Sequence, residues 1–114
     1  MTCRRGDIVL VRFPDSNLRT YKKRPALIVQ ADSLATGLSQ KIVAMVTSNT
    51  ARSGPTRVLV QKNSNEGMQM GIRSDSVVVT DNLATVLDRE MDKVIGHRAD
   101  MTQVDQALRR TLAL

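Results

Sequence analysis

The feature that most constrains this chain is a series of short β-branched apolar runs, each cut off by polar or turn-forming residues within a few positions. Ile8-Val9-Leu10-Val11, Ala26-Leu27-Ile28-Val29, Ile42-Val43-Ala44-Met45-Val46 and Val77-Val78-Val79 recur between residues 8 and 79. Branching at Cβ restricts these side chains in a helix and suits them to a pleated surface. Short runs bounded by turn signals therefore read as strands, over residues 8–13, 26–30, 42–48, 57–61 and 76–80, with shorter strands over 83–87 and 93–97. The first two runs are almost continuously apolar, which suits a sheet covered on both faces. Residues 32–40, the Gly- and Pro-containing stretch 49–55, and 63–70 read as loops or turns.

The end of the chain obeys another period. Met101, Val104, Ala107, Leu108, Thr111 and Leu112 recur at intervals of three and four, the spacing of an amphipathic helix. Asp100 is placed to cap it, with Gln103 three residues on, and Arg109 and Arg110 complement the helix dipole at its far end. The expected architecture is mainly β (α+β), a single domain over residues 1–114, with the helix packing its apolar stripe on the sheet.

Composition narrows the chemistry. The chain is 41% hydrophobic but only 2% aromatic, with Phe13 and Tyr21 the sole aromatic residues, so its core must be aliphatic. It also lacks the aromatic platforms on which many RNA modules stack bases, leaving charge, hydrogen bonds and backbone shape for any nucleic-acid contact. Seventeen Lys and Arg against eleven Asp and Glu give a net charge of +6, which favours an anionic partner. The single cysteine, Cys3, excludes an internal disulfide and supports no zinc motif, so a reduced, cytoplasmic setting is the expectation. No metal or other cofactor is implied, no secretory leader is apparent, and no apolar run approaches a membrane span.

The cations are concentrated. Arg12, Arg19, Lys22, Lys23 and Arg24 crowd the connection between the first two strands, against one local acid, Asp15. Burying so many charges is costly, so this segment is expected as a basic surface loop beside a rigid sheet, facing a phosphate-rich ligand. Pro25 fixes the backbone where Arg24 enters the second strand.

Three blocks, taken in order, resemble the MazF/PemK toxins of bacterial toxin–antitoxin pairs. They are Arg5-Gly6-Asp7-Ile8-Val9 with Lys23-Arg24-Pro25-Ala26-Leu27-Ile28-Val29, then Val43-Ala44-Met45-Val46-Thr47-Ser48, then Gly71-Ile72-Arg73-Ser74-Asp75-Ser76 through Asp81. The terminal Val104-Asp105-Gln106-Ala107-Leu108 is similar as well. The resemblance implies an SH3-like small barrel with a C-terminal α-helix, a homodimer, an acidic antitoxin as partner, and metal-independent, sequence-specific cleavage of single-stranded mRNA.

In that chemistry the ribose 2′-hydroxyl attacks its own 3′-phosphate, giving a 2′,3′-cyclic phosphate and a 5′-hydroxyl. It needs donors for the charged phosphorane, a base for the 2′-OH and a proton for the leaving oxygen. Arg24 matches the family's Arg-Pro position, and its guanidinium fork suits phosphate oxygens. Thr47 and Ser48 match a Thr-Ser pair at a strand end, and Asp81 matches an acidic position. The catalytic set implied is Arg24, Thr47 and Asp81, with RNA contacts from Ser48, Arg19, Lys22, Lys23, Thr56, Arg57 and Val79. The chain departs from better-known members at Leu18, Arg19, Lys22, Lys23, Val79 and Ala84, where those carry other groups. Two alternatives stay open: a member that binds RNA or antitoxin without cutting, and a gyrase-directed toxin on the same fold, disfavoured by the absence of Trp. His97 reads as structural, and Met68 and Met70 as packing or dimer contact.

Overall fold

The computed structural model describes residues 2–14, 17 and 19–114. Asp15 and Leu18, which entered the reading of the basic segment, lie outside the described residues. The strands are β1 (Asp7–Pro14), β2 (Tyr21–Ile28), β3 (Gln40–Thr47), β4 (Arg57–Val60), β5 (Ser76–Leu87) and β6 (Met91–His97). Helix α1 (Asn65–Met70) follows β4, and α2 (Thr102–Leu112) ends the fold. All six strands join one antiparallel, barrel-like sheet in the order β4-β5-β3-β2-β1-β6.

The β-branched runs form strands for the reason their composition suggests: each fills a core. Ile8, Leu27, Val46, Val58, Val60 and Val78 pack with Met70, Ile72, Val104 and Ala107 in one cluster, which α2 closes with its apolar stripe. Val9, Val11, Ala26, Ile28 and Val43 pack with Val86 and Met91 in a second. Successive residues of β1 and β2 enter opposite clusters, so the near-continuous apolar runs are explained by burial of both faces.

Several boundaries differ from the sequence expectation. Lys22, Lys23 and Arg24 are strand residues of β2, not loop, because β1 continues to Pro14 and pairs with them: Val11 with Arg24, Arg12 with Lys23, Phe13 with Lys22. The two short segments after residue 75 are one bent strand, β5, interrupted by a bulge. Val79 pairs with Met45 and Leu83 with Ala44, so residues 80–82 have no counterpart on β3.

Residues 63–70 are not all loop. Ser64 caps α1, its Oγ accepting from the Gly67 N–H at 3.0 Å, and Gly71 ends it in the left-handed conformation at φ 70°. A Cβ on Gly71 would come within 2.3 Å of the Ile95 carbonyl oxygen, so α1 is held hard against β6.

The start of α2 also departs from a simple capping box. Asp100 accepts from the Thr102 N–H at 3.0 Å, but Gln103 turns its carbonyl oxygen to the buried Arg98 at 3.3 Å. His97 is structural as expected: its Nδ1 lies 2.8 Å from Oδ1 of the buried Asp7, tying β6 to β1. Gly6 sits against that ring at φ 94°, where a Cβ would come within 2.8 Å of His97 Cε1. Among the described residues, no helix is long and apolar enough to cross a membrane.

Candidate active site

The β2–β3 ladder runs Ile28 with Val43, Leu27 with Ala44, Ala26 with Met45, and stops there. The next β2 residue is Pro25, which has no N–H to extend it. Carrying the register two residues further would set Arg24 opposite Thr47. The two strands instead part at this point, and clefts open on either side of the gap. Side-chain alternation puts Arg24 on the face of Ala26, and Thr47 on the face of Met45.

The larger cleft, about 610 Å³, is floored by Leu10, Pro25, Val46, Ile72 and Ile95. Its polar rim carries Lys23, Arg24, Thr47, Ser48, Arg73 and Lys93. A smaller one of about 440 Å³ on the other side shares Arg24, Val46 and Thr47 and adds Met45, Val79, Asn82 and Ala84. No carboxylate lines either cleft among the described residues. The Arg24 side chain is exposed and makes no hydrogen bond or ion pair among the described residues. Lys23 is different: its Nζ reaches Asp92 at 3.1 Å, which offsets one of the rim charges.

The structure therefore brings Arg24, Thr47 and Ser48 to one place, with Val79 on the wall of the smaller cleft. It does not bring Asp81 there. Asp81 sits in the β5 bulge beside the Ala44–Met45 step, and its Oδ1 faces Arg57 Nη2 at 3.7 Å. That step lies about 8 Å along the strand from Thr47, at roughly 3.3 Å per residue. Alternation along β5 predicts that Asp81 shares the face of Val77 and Val79; the bulge breaks the count.

Arg57 and Thr56 are displaced with it. Arg57 is occupied by Asp81, and the Thr56 carbonyl accepts from the backbone N–H of Thr80 at 3.0 Å and from its hydroxyl at 2.6 Å. Arg19 and Lys22 are exposed but line neither cleft. Arg73, Lys93 and Asn82 are cleft residues that sequence reasoning passed over. Arg73 was visible as a member of the third family-like block but carried no role there, Lys93 as an isolated cation far along the chain from Arg24, and Asn82 as the neighbour of the acid that drew attention.

With this geometry in view, the likeness to known proteins has a structural meaning. Residues 4–112 match the family described as PemK-like, MazF-like toxin of type II toxin–antitoxin system. The chain belongs to that family. Endoribonuclease MazF2 of Mycobacterium bovis is 31% identical over 105 residues, covering 89% of this chain and 88% of that protein. Endoribonuclease MazF6 of Mycobacterium tuberculosis is similar to the same extent. The fold is shared with the Mycobacterium tuberculosis toxin MazF-mt6, at a TM-score of 0.75 and 23% identity over 95% of this chain and 97% of that one. It is shared too with a MazE–MazF structure from Deinococcus radiodurans, at a TM-score of 0.73 and 17% identity over 100% of this chain and 98% of that one. A mycobacterial endoribonuclease solved in complex with its cognate antitoxin matches at a TM-score of 0.73 and 23% identity, over 99% of this chain and 97% of that one.

Proposed function

We propose that this toxin, an endoribonuclease of its family, cuts single-stranded mRNA at the parting of β2 and β3, with Arg24 as the principal catalytic group and Thr47 as its partner. The observation that carries the reading is an unpaired guanidinium beside two hydroxyl-bearing residues, at the mouth of clefts lined by no carboxylate among the described residues. Such a rim attracts a phosphodiester and repels nothing about it.

In the reaction, the 2′-oxygen forms a bond to its own 3′-phosphorus and the bond to the 5′-oxygen breaks. Arg24 hydrogen-bonds the phosphorane oxygens where negative charge develops. Thr47 and Ser48 orient the phosphate from the β3 end, which a strand holds more firmly than a loop. The 2′-hydroxyl gives its proton to water, and the departing oxygen, its charge steadied by Arg24, takes one from water. Asp81 is given no proton-transfer step; it holds Arg57.

Among the described residues there is no group of three or more His, Cys, Asp or Glu that could hold a metal. The test is cleavage of a long single-stranded RNA in excess EDTA, with end-group analysis. Discrete cuts bearing 5′-hydroxyl and cyclic phosphate ends are expected. Arg24→Ala should slow them about 10²- to 10³-fold, the usual loss when one transition-state donor is removed. An unchanged rate in that variant would reject the assignment, and complete inertness of the wild type would favour a module that binds without cutting.

An antitoxin is the expected protein partner, because relatives of this fold are solved with theirs. The cationic rim suits an acidic segment that occupies the cleft in place of RNA. The toxin acts as a homodimer in the cytoplasm.

A further inference from the structure

The larger cleft has more positive charge than one scissile phosphate requires, and the excess lies on its far wall. Lys93 pairs across β1 with Leu10, whose other neighbour is Pro25. Lys93 therefore stands two strand spacings from the β2 wall that carries Arg24, roughly 10 Å between backbones. Arg73 joins it from the turn that follows α1, a turn fixed by Gly71 against the Ile95 carbonyl. Both side chains are exposed, and neither makes a hydrogen bond or ion pair among the described residues. Lys23, in contrast, is matched by Asp92. Between the two walls lie the uncharged Leu10, Pro25, Val46, Ile72 and Ile95, with Ser74 and Ser76 beside them. Charged rims separated by an uncharged floor fit a phosphate–sugar–phosphate unit, with an anion at each wall and the sugar and base edges between.

We propose that Arg73 and Lys93 form a second phosphate subsite, which holds the phosphodiester next to the one being cut. The subsite rests on the endoribonuclease reading above and deepens it: Arg24 and Thr47 work on the reacting phosphate, while Arg73 and Lys93 grip its neighbour. Because that neighbour carries the same charge in the ground state and the transition state, the grip lowers KM and leaves kcat alone. They are binding residues, and the cleft reads a strand of RNA rather than an isolated dinucleotide.

The test uses the full chain and short RNA oligonucleotides spanning a cut site mapped on a long RNA. One is all-phosphodiester; two others carry a neutral methylphosphonate immediately 5′ or 3′ of the scissile linkage. The double variant Arg73→Ala, Lys93→Ala should raise KM on the all-phosphodiester RNA about tenfold, with kcat within about twofold, as expected for lost uniform binding. On one of the two methylphosphonate substrates the wild type should show the same raised KM, and the double variant no further increase. The slope of log affinity against log salt should fall by about 0.7, one phosphate contact on a single strand. The charge-keeping pair Arg73→Lys, Lys93→Arg should recover most of the KM.

A double variant that lowers kcat at unchanged KM, or whose KM penalty persists on both neutral substrates, overturns the subsite while the wild type's cleavage leaves the parent reading standing. A wild type that cuts none of the RNAs overturns both.

Discussion

Arg24 owes its availability to the residue that follows it. Pro25 cannot donate a ladder hydrogen bond, the β2–β3 pairing ends at Ala26, and the guanidinium is left beside Thr47 with no carboxylate to claim it. Asp81 shows the reverse case, an acid with a cation beside it. It was legible in the sequence as an acid at the end of a strand, but a three-residue bulge decides where it points, and Arg57 receives it at 3.7 Å. The pair is partly exposed, so it is worth at most about 1 kcal/mol. Asp81→Asn should therefore change kcat by no more than about fivefold, the rate equivalent of that energy. A loss matching that of Arg24→Ala, measured on the same RNA, would return Asp81 to the catalytic set.

At the scale of elements, the two helices mark the limits of periodicity. The spacing from Met101 to Leu112 announced α2 without help from the rest of the chain, whereas α1 is six residues long, too short for a period to show. Its signals were the terminal ones, Ser64 before and Gly71 after, and these are equally common in turns. What keeps α1 helical is tertiary: its end lies against β6, and Met70 is buried in the core with α2. The entry to α2 offers a pH-dependent test. Hydrogen bonds from the Thr102 hydroxyl and N–H hold the Asp100 carboxyl below its ordinary value, with Arg98 adding a smaller pull in the same direction. A depressed folded pKa stabilises above the unfolded pKa, and the benefit is lost as pH falls through the folded value. Asp100→Ala should lower the urea midpoint at about pH 7, and the gap from wild type should close as pH falls through the depressed folded value. A gap that persists at acid pH would mean the residue acts through something other than its charge.

At the scale of the molecule, the +6 charge is a property of the whole chain, but Lys23, Arg24, Arg73 and Lys93 gather at one cleft where two strands separate. A homodimer would double the RNA-facing surface, and it predicts a solution mass near 25 kDa, twice the 12.6 kDa chain, by sedimentation equilibrium. A mass that stays at the single-chain value at micromolar concentration would reject it. The amino-acid sequence by itself determined the strand-forming runs, the aliphatic core, the closing helix and the identity of Arg24 and Thr47 as a pair worth watching. Those follow from local causes: Cβ branching, hydrophobic period, a proline beside an arginine, and blocks whose order survives in the family. Only the tertiary structure decided that Lys22, Lys23 and Arg24 are strand rather than loop, that Asp81 faces Arg57, and that Arg73 and Lys93 share a cleft with Arg24. Each of these depends on strand register and on a bulge, which are set by how distant segments pack together; no local rule along the chain carries that information.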